Sequence, residues 1–264
     1  PLERITDLSG NVMRFERHGG QPTAIVVPGG RRLELRVEDG LLREISMMRA
    51  DTRVRHSLVR YEYGAGDLVA VIDALGKAYR FDYAAHRMVR HTDRNGLSFH
   101  YSYEAHGDGW RVDHAWGDGG LYDYRFAYFD AIHERRITDS LGHVSVVKLD
   151  ENGLPINETD PLGGITIFEY DDCGRTSAVV DPAGRRTEYL YDARGNLLKL
   201  TRPDGSAVET EFDAANKPVR ITDPNGAVWQ QAWDGRGQLV AQTTPLGHVN
   251  RYEYDGFGRL VAHT

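Results

Sequence analysis

A 21-residue period governs this sequence. Tyr191-Asp192-Ala193-Arg194-Gly195-Asn196-Leu197 is preceded by Tyr170-Asp171-Asp172-Cys173-Gly174-Arg175 and followed by Phe212-Asp213, Trp233-Asp234 and Tyr254-Asp255. A second half-motif keeps step with it, as Pro161-Leu162-Gly163, Pro182-Ala183-Gly184, Pro203-Asp204-Gly205, Pro224-Asn225-Gly226 and Pro245-Leu246-Gly247. The step of 21 holds without a slip from Asp139 to Thr264. A fixed period of this length is the signature of a repeat architecture.

One unit shows what repeats. Asp181-Pro182-Ala183-Gly184 places Asp, Pro and Gly where a type I turn wants them. Arg185 to Tyr191 then alternates, with Thr187, Tyr189 and Tyr191 on one side and Arg186, Glu188 and Leu190 on the other. Asp192-Ala193-Arg194-Gly195 is a second turn, with Gly195 expected at positive φ. Leu197 to Thr201 makes a second short strand, with Leu198 and Leu200 on one side. Each unit thus supplies two strands and two tight turns, and turns this short join only antiparallel neighbours. The expected fold is all-β, a curled antiparallel meander.

Phe168 and Tyr170, Tyr189 and Tyr191, Trp229 and Trp233, and Tyr252 and Tyr254 read as equivalent positions on a packing face. The other face carries Glu169, Arg186, Glu188, Glu209, Glu211, Gln230, Arg251 and Glu253, and tolerates water. Residues 1–138 form a looser copy of the array and 139–264 the regular one, in a single domain. Asp73-Ala74-Leu75-Gly76, Asp93-Arg94-Asn95-Gly96, Asp7-Leu8-Ser9-Gly10 and Pro28-Gly29-Gly30 read as turns. Tyr61 to Leu68 resembles Tyr191 to Leu197 with one residue removed. Glu104 to Gly120 breaks the spacing and reads as a longer hairpin. Leu41 to Ala50 is the one stretch to watch for helix.

About 12.6 units give roughly 25 strands, hence a sheet on the order of 120 Å wide at ~4.8 Å per strand. Twisted open sheets rarely exceed about 10 strands without curling. Closed as one ring, this one would be about 38 Å across by the same spacing, wider than the filled eight-stranded barrel. A hollow, or an arc of one, is the expectation. A propeller would need two units paired into every blade.

Composition sets the remaining bounds. Hydrophobic residues make up 40% and charged residues 27%, which argues against wholesale disorder. A net charge of -7 argues against nucleic acid as a partner. Cys173 is the single cysteine, so no intrachain disulfide forms. No stretch approaches the roughly 20 apolar residues of a membrane-spanning helix. The chain starts at Pro1 and reads as a piece of something longer.

These motifs resemble the Rhs or YD repeat family. The resemblance is carried by the aromatic-Asp-x-x-Gly half and the Asp-Pro-x-Gly half at fixed spacing, strong over Asp139 to Thr264 and drifting elsewhere. It implies a segment of a hollow β-shell, as in bacterial Rhs polymorphic toxins, the BC component of insecticidal Tc toxins and the teneurins. Such a shell holds an unfolded or partly folded C-terminal toxin until delivery, in many cases by type VI secretion. The implied partners are the rest of the shell and that toxin, with a secretion spike and a chaperone engaged through regions outside this sequence. The implied location is the bacterial cytoplasm before export, then a target cell. The family's self-cleaving aspartates lie past the repeats, so that role is carried onto none of Asp160, Asp181 or Asp223.

No catalytic, cofactor-binding or metal-binding residue is expected. His86, His91, His100, His106 and His114 lie close in sequence but fit no metal motif, and on strands His86 and His91 would face opposite sides. Asp171, Asp192, Asp213, Asp234 and Asp255 recur in every unit at turn starts, where Asp accepts local backbone hydrogen bonds. No Gly-x-Ser-x-Gly elbow occurs, and neither Gly29-Gly30 nor Gly119-Gly120 leads into a phosphate loop. The expected function is a non-catalytic wall segment. The alternative is a binding module that meets a glycan or protein receptor. Cut from its array, such a piece exposes strand edges and is expected to oligomerise, to pair with a partner chain or to be poorly soluble.

Overall fold

The structure, a computed structural model, describes residues 2–48 and 54–264. Its strands are β1 Arg4–Thr6, β2 Val12–His18, β3 Gln21–Val26, β4 Arg32–Glu38, β5 Leu41–Met48, β6 Arg55–Gly64, β7 Asp67–Asp73, β8 Ala78–Ala84 and β9 Arg87–Thr92. They continue as β10 Ser98–His106, β11 Gly109–Gly117, β12 Leu121–Phe129, β13 Glu134–Thr138, β14 Val144–Leu149, β15 Pro155–Thr159, β16 Ile165–Tyr170 and β17 Thr176–Val180. The last are β18 Arg186–Tyr191, β19 Leu197–Thr201, β20 Ala207–Phe212, β21 Pro218–Thr222, β22 Val228–Trp233, β23 Leu239–Thr243, β24 Val249–Tyr254 and β25 Leu260–His263. The chain divides into two compact units, one of residues 1–14, 26–31 and 164–264, the other of residues 15–25 and 32–163.

In the second of these units, β4 to β15 pair strand after strand in sequence order, always antiparallel. In the first, β16 to β25 do the same, and β1 pairs β2. Such unbroken ladders leave no place for four-stranded propeller blades. Leu41–Met48 is a strand, so the expectation of helix there fails over those residues, and Ala50 lies outside the described ones. The segment pairs on both sides, with β4 and β6, and that ladder decides its conformation.

Each Asp-x-x-Gly segment folds the same way. At Asp192 the Gly195 N–H donates to the Asp192 carbonyl and the Asp192 N–H donates to the Asn196 carbonyl. This is the three-residue hairpin loop that ends in a left-handed residue, and Gly195 sits at φ +90°. The strands it joins carry a bulge between Leu190 and Tyr191. The Asp181-to-Arg185 turn has the same bonds, and its strands stay in register. In the looser half, Ala65-Gly66 and Ala85-His86 are two-residue turns with both φ positive. That is where the residue missing after Tyr63 went. It also puts His86 in a turn, at φ +61°, and not on a strand.

The faces fall out as alternation dictates. Along β18, Thr187, Tyr189 and Tyr191 are half-buried while Arg186, Glu188 and Leu190 are exposed. One register is corrected: Gln231, not Trp229, occupies the position of Phe168, Tyr189 and Tyr252. Trp229 lies two residues earlier on the same face, opposite Ile221. The irregular stretch forms the long hairpin β10–β11, nine residues in each arm, followed by a single 3-10 turn at Asp118–Gly120.

Burial is shallow throughout. Among the described residues, only Ala24, Ala70, Ile72 and Ala178 are buried hydrophobics. Within each unit, cohesion therefore comes chiefly from cross-strand pairs.

Candidate functional site

The aspartates recurring at turn starts are spent on their turns. One carboxylate oxygen of Asp192 accepts the N–H groups of Arg194 and Asn196, each at 2.9 Å, and the other accepts from Asn196 Nδ2 at 2.8 Å. At Asp171 the side-chain partner is Arg175 Nε at 2.7 Å, and at Asp255 it is Arg259 Nε at 2.6 Å. Hydrogen bonds from residue i+4 hold the carboxyls of Asp171, Asp192 and Asp255 below the ordinary aspartate value.

The histidines are placed one by one. His86 Nδ1 lies 3.0 Å from Asp67, and His100 Nε2 lies 3.1 Å from Asp118. His106 Nδ1 lies 3.4 Å from Asp130, and His114 Nε2 lies 2.7 Å from Asp123. His91 sits in a ring column: it stacks on Phe99 at 5.4 Å and on Tyr79 at 6.4 Å, and its Nδ1 lies 3.0 Å from the Tyr101 hydroxyl. Among the described residues, no group of three or more His, Cys, Asp or Glu side chains is arranged to hold a metal ion.

That column depends on a missing side chain. Phe99 pairs across the sheet with Gly117, and Phe99 and Tyr122 stack at 6.5 Å. A Cβ on Gly117 would lie 3.0 Å from the Leu121 carbonyl oxygen and 3.2 Å from Phe99 Cε1. Nothing in the periodic pattern marks Gly117, because the constraint comes from close approach and not from a turn.

Two further devices went unread in the sequence. The first is a hydroxyl or indole staple. Tyr83, Tyr103 and Tyr254 each donate their O–H to a carbonyl 15 residues back, of Leu68, Met88 and Leu239. Trp233 does the same through Nε1 to Pro218, at 2.7 Å. Adjacent strands stop exchanging backbone bonds before this point, as β23 and β24 do after Ala241 and Arg251, and the side chain satisfies the carbonyl left over. The recurrence of Tyr or Trp, both with a donor, was the available signal.

The second is a seam inside the first unit. Asn11 Nδ2 donates to the Arg236 carbonyl at 2.8 Å, across 225 residues of sequence. An added Cβ on Gly237 would lie 2.5 Å from Ser9 Oγ, and one on Gly29 would lie 3.2 Å from Phe257 Cα. The turns Asp7–Asn11 and Val27–Arg31 therefore seat on the turns Asp234–Gln238 and Asp255–Arg259. A cleft of about 440 Å³ runs along the seam, with Asp7, Arg14, Arg236 and Phe257 among its walls. Neighbouring turns are also tied sideways, by Arg194 to the Ala214 carbonyl and Arg236 to the Gly256 carbonyl.

On the exposed face Arg186 bridges Glu169, at 2.6 and 2.8 Å, and Glu188, at 2.8 Å. The two carboxylates raise its already high pKa, Glu169 foremost. This face is solvated and ion-paired, as its sequence suggested.

Comparison with known proteins agrees with this geometry. The crystal structure of TcdB2-TccC3 without its hypervariable C-terminal region superposes with a TM-score of 0.59 at 12% identity, over 97% of this chain and 18% of that one. The crystal structure of TcdB2-TccC3-Cdc42 gives 0.56 at 12%, over 96% and 16%. The Tc holotoxin pore of Photorhabdus luminescens gives 0.53 at 12%, over 97% and 18%. At such identities the likeness is one of fold, and this chain spans less than a fifth of each of those chains. A search of curated proteins finds no match. The family described as RHS Repeat matches residues 61–98, 150–185, 174–207, 212–249 and 233–264. With more than half of its residues so matched, the chain belongs to the RHS repeat family.

Proposed function

We propose that this chain is a non-catalytic wall segment of an Rhs β-shell that encloses a C-terminal toxin until delivery. The observation that carries the reading is the sheet itself: a half-buried aromatic face and an ion-paired face, with only Ala24, Ala70, Ile72 and Ala178 as buried hydrophobics among the described residues. A sheet of this kind leaves its aromatic face for something other than a core. The fold shared with TcdB2-TccC3 supports the same reading. Its aspartates serve their turns, which supports a structural and not a catalytic role.

Confinement is the mechanism. A chain held inside a wall cannot reach its targets and lacks the room to fold fully. Delivery by a bacterial secretion system, type VI as the expected route, would place the protein in the cytoplasm before export. The receptor-binding alternative rests on exposed rings, Trp110 of the long hairpin and Tyr122 among them, while the inner members of the column Tyr79–His91–Phe99–Tyr122 are stacked on one another.

The test uses the whole reading frame from which the chain comes. A segment following the repeats should resist trypsin while the shell is intact and become cleavable once the shell is opened by mild acid or urea. Equal digestion before and after opening would remove the container reading. A glycan array that lit up for the isolated chain would favour the receptor binder instead.

A further inference from the structure

The 21-residue period lets one cross-strand row of the aromatic face be compared with the next. Phe168, Val179 and Thr187 stand side by side on β16, β17 and β18. One period on stand Tyr189, Leu200 and Val208, and after them Thr210, Ile221 and Trp229. Each of these rows is apolar or carries a threonine at one end. The next row is Gln231, Gln242 and Asn250, paired across β22, β23 and β24. Three carboxamides stand where the sister rows pack.

All three are half-buried. Among the described residues, none of the three side chains has a hydrogen-bond partner. Gln231 Oε1 is buried and lacks a donor. Carboxamides on neighbouring strands can bond to one another in a ladder, and these do not. A buried acceptor left unpaired costs free energy that the fold does not recover. The backbone ladder does not require amides here, because the sister rows do without them.

We propose that Gln231, Gln242 and Asn250 form a patch that grips the backbone of an extended, non-native polypeptide; it rests on the container reading only in taking that polypeptide to be the enclosed one. A carboxamide carries both a donor and an acceptor. An extended residue presents its own N–H and C=O on one side, so one amide matches one residue with two bonds, whatever side chain that residue carries. Turned outward, the Gln231 oxygen gains the donor it lacks. The row is roughly 9.6 Å long, the reach of about three extended residues. The rows beside it, Thr210–Ile221–Trp229 and Tyr252–His263, bring no carboxylate, lysine or arginine, which suits a neutral ligand. A sugar would need open ring faces. Here His263 stacks on Tyr252 at 4.8 Å, and Lys217 Nζ lies over Trp233 at 5.5 Å.

Fluorescence anisotropy of a short labelled peptide of Ser, Thr and Val, titrated with the chain, tests this beside the same peptide with its backbone N–H groups methylated. The plain peptide should bind at least about tenfold tighter, the difference that lost hydrogen bonds make. In Gln231→Leu/Gln242→Leu/Asn250→Val, which copies the apolar sister rows, that preference should vanish while the melting temperature holds or rises. Gln242→Glu keeps the size of the side chain, loses its N–H donor, and should weaken the plain peptide in the same direction. No binding of the plain peptide, equal binding of both, or a preference that survives the triple substitution overturns the proposal. A lower melting temperature in the triple variant overturns it too, by assigning the amides to the fold. So does uptake of a neutral oligosaccharide in place of the peptide. Trypsin protection in the whole reading frame judges the container by itself, so either reading can fail without the other.

Discussion

Asp192 and Gly195 divide the work of one turn between charge and backbone. The carboxylate collects N–H groups that the hairpin leaves unpaired, and the glycine takes φ +90°. Valine at Gly195 should therefore cost on the order of 1–3 kcal/mol, read from urea unfolding, since a β-branched residue is strained there. The sister position Asn216 stands at φ +58°, which asparagine tolerates, so Asn216→Gly should change stability little. Gly117→Ala is a different case. Its φ is unremarkable, but the new Cβ would meet the Leu121 carbonyl and Phe99, and overpacking of this kind costs about 1–3 kcal/mol. The carboxylates also set a pH dependence. Asp171, Asp181, Asp192 and Asp255 have folded pKa values below the ordinary 3.8. Their stabilisation is complete above the unfolded value and is lost as pH falls through the folded one. The melting temperature should accordingly hold near pH 5 and drop toward pH 3. A flat profile would contradict the turn role. The turn glycines and aspartates were legible in the sequence because their chemistry is local; Gly117 was not, because its neighbours are strangers in sequence.

At the scale of the strand pair, alternation and turn spacing were enough to place both faces and to count the strands: about 25 expected, twenty-five found among the described residues. Alternation could not separate Trp229 from Gln231, because both lie on the same face and only the period distinguishes them. Nor could it show why the last aromatic of so many units carries a donor. The Tyr254 hydroxyl reaches the Leu239 carbonyl at 3.0 Å, where the ladder has already parted. Tyr254→Phe should cost about 0.5–1.5 kcal/mol, the net worth of such a bond. The equivalent Phe212 has no hydroxyl to give, so Phe212→Tyr is the complementary gain to measure. Leu41 to Ala50 was the one stretch to watch for helix in the sequence. The pairing partners that overrule it, Leu33–Glu38 and Arg55–Arg60, lie on the two flanking strands and not in the segment itself.

At the scale of the molecule, the seam is the feature that no reading of the sequence could supply. It joins residues 225 apart through one side-chain hydrogen bond and two glycine contacts, and none of these carries a motif beyond the turn it already serves. A pair of substitutions separates its worth from backbone strain. Gly29 and Gly20 both sit at positive φ, +86° and +84°. A Cβ on Gly20 meets nothing within 4 Å, whereas one on Gly29 falls 3.2 Å from Phe257 Cα. Valine at either site carries a similar strain, so the excess destabilisation of Gly29→Val over Gly20→Val reports the seam alone. Amide exchange at Gly256 to Gly258 should quicken in Gly29→Val and stay unchanged in Gly20→Val. Equal effects from the two would mean that the turns touch without holding each other.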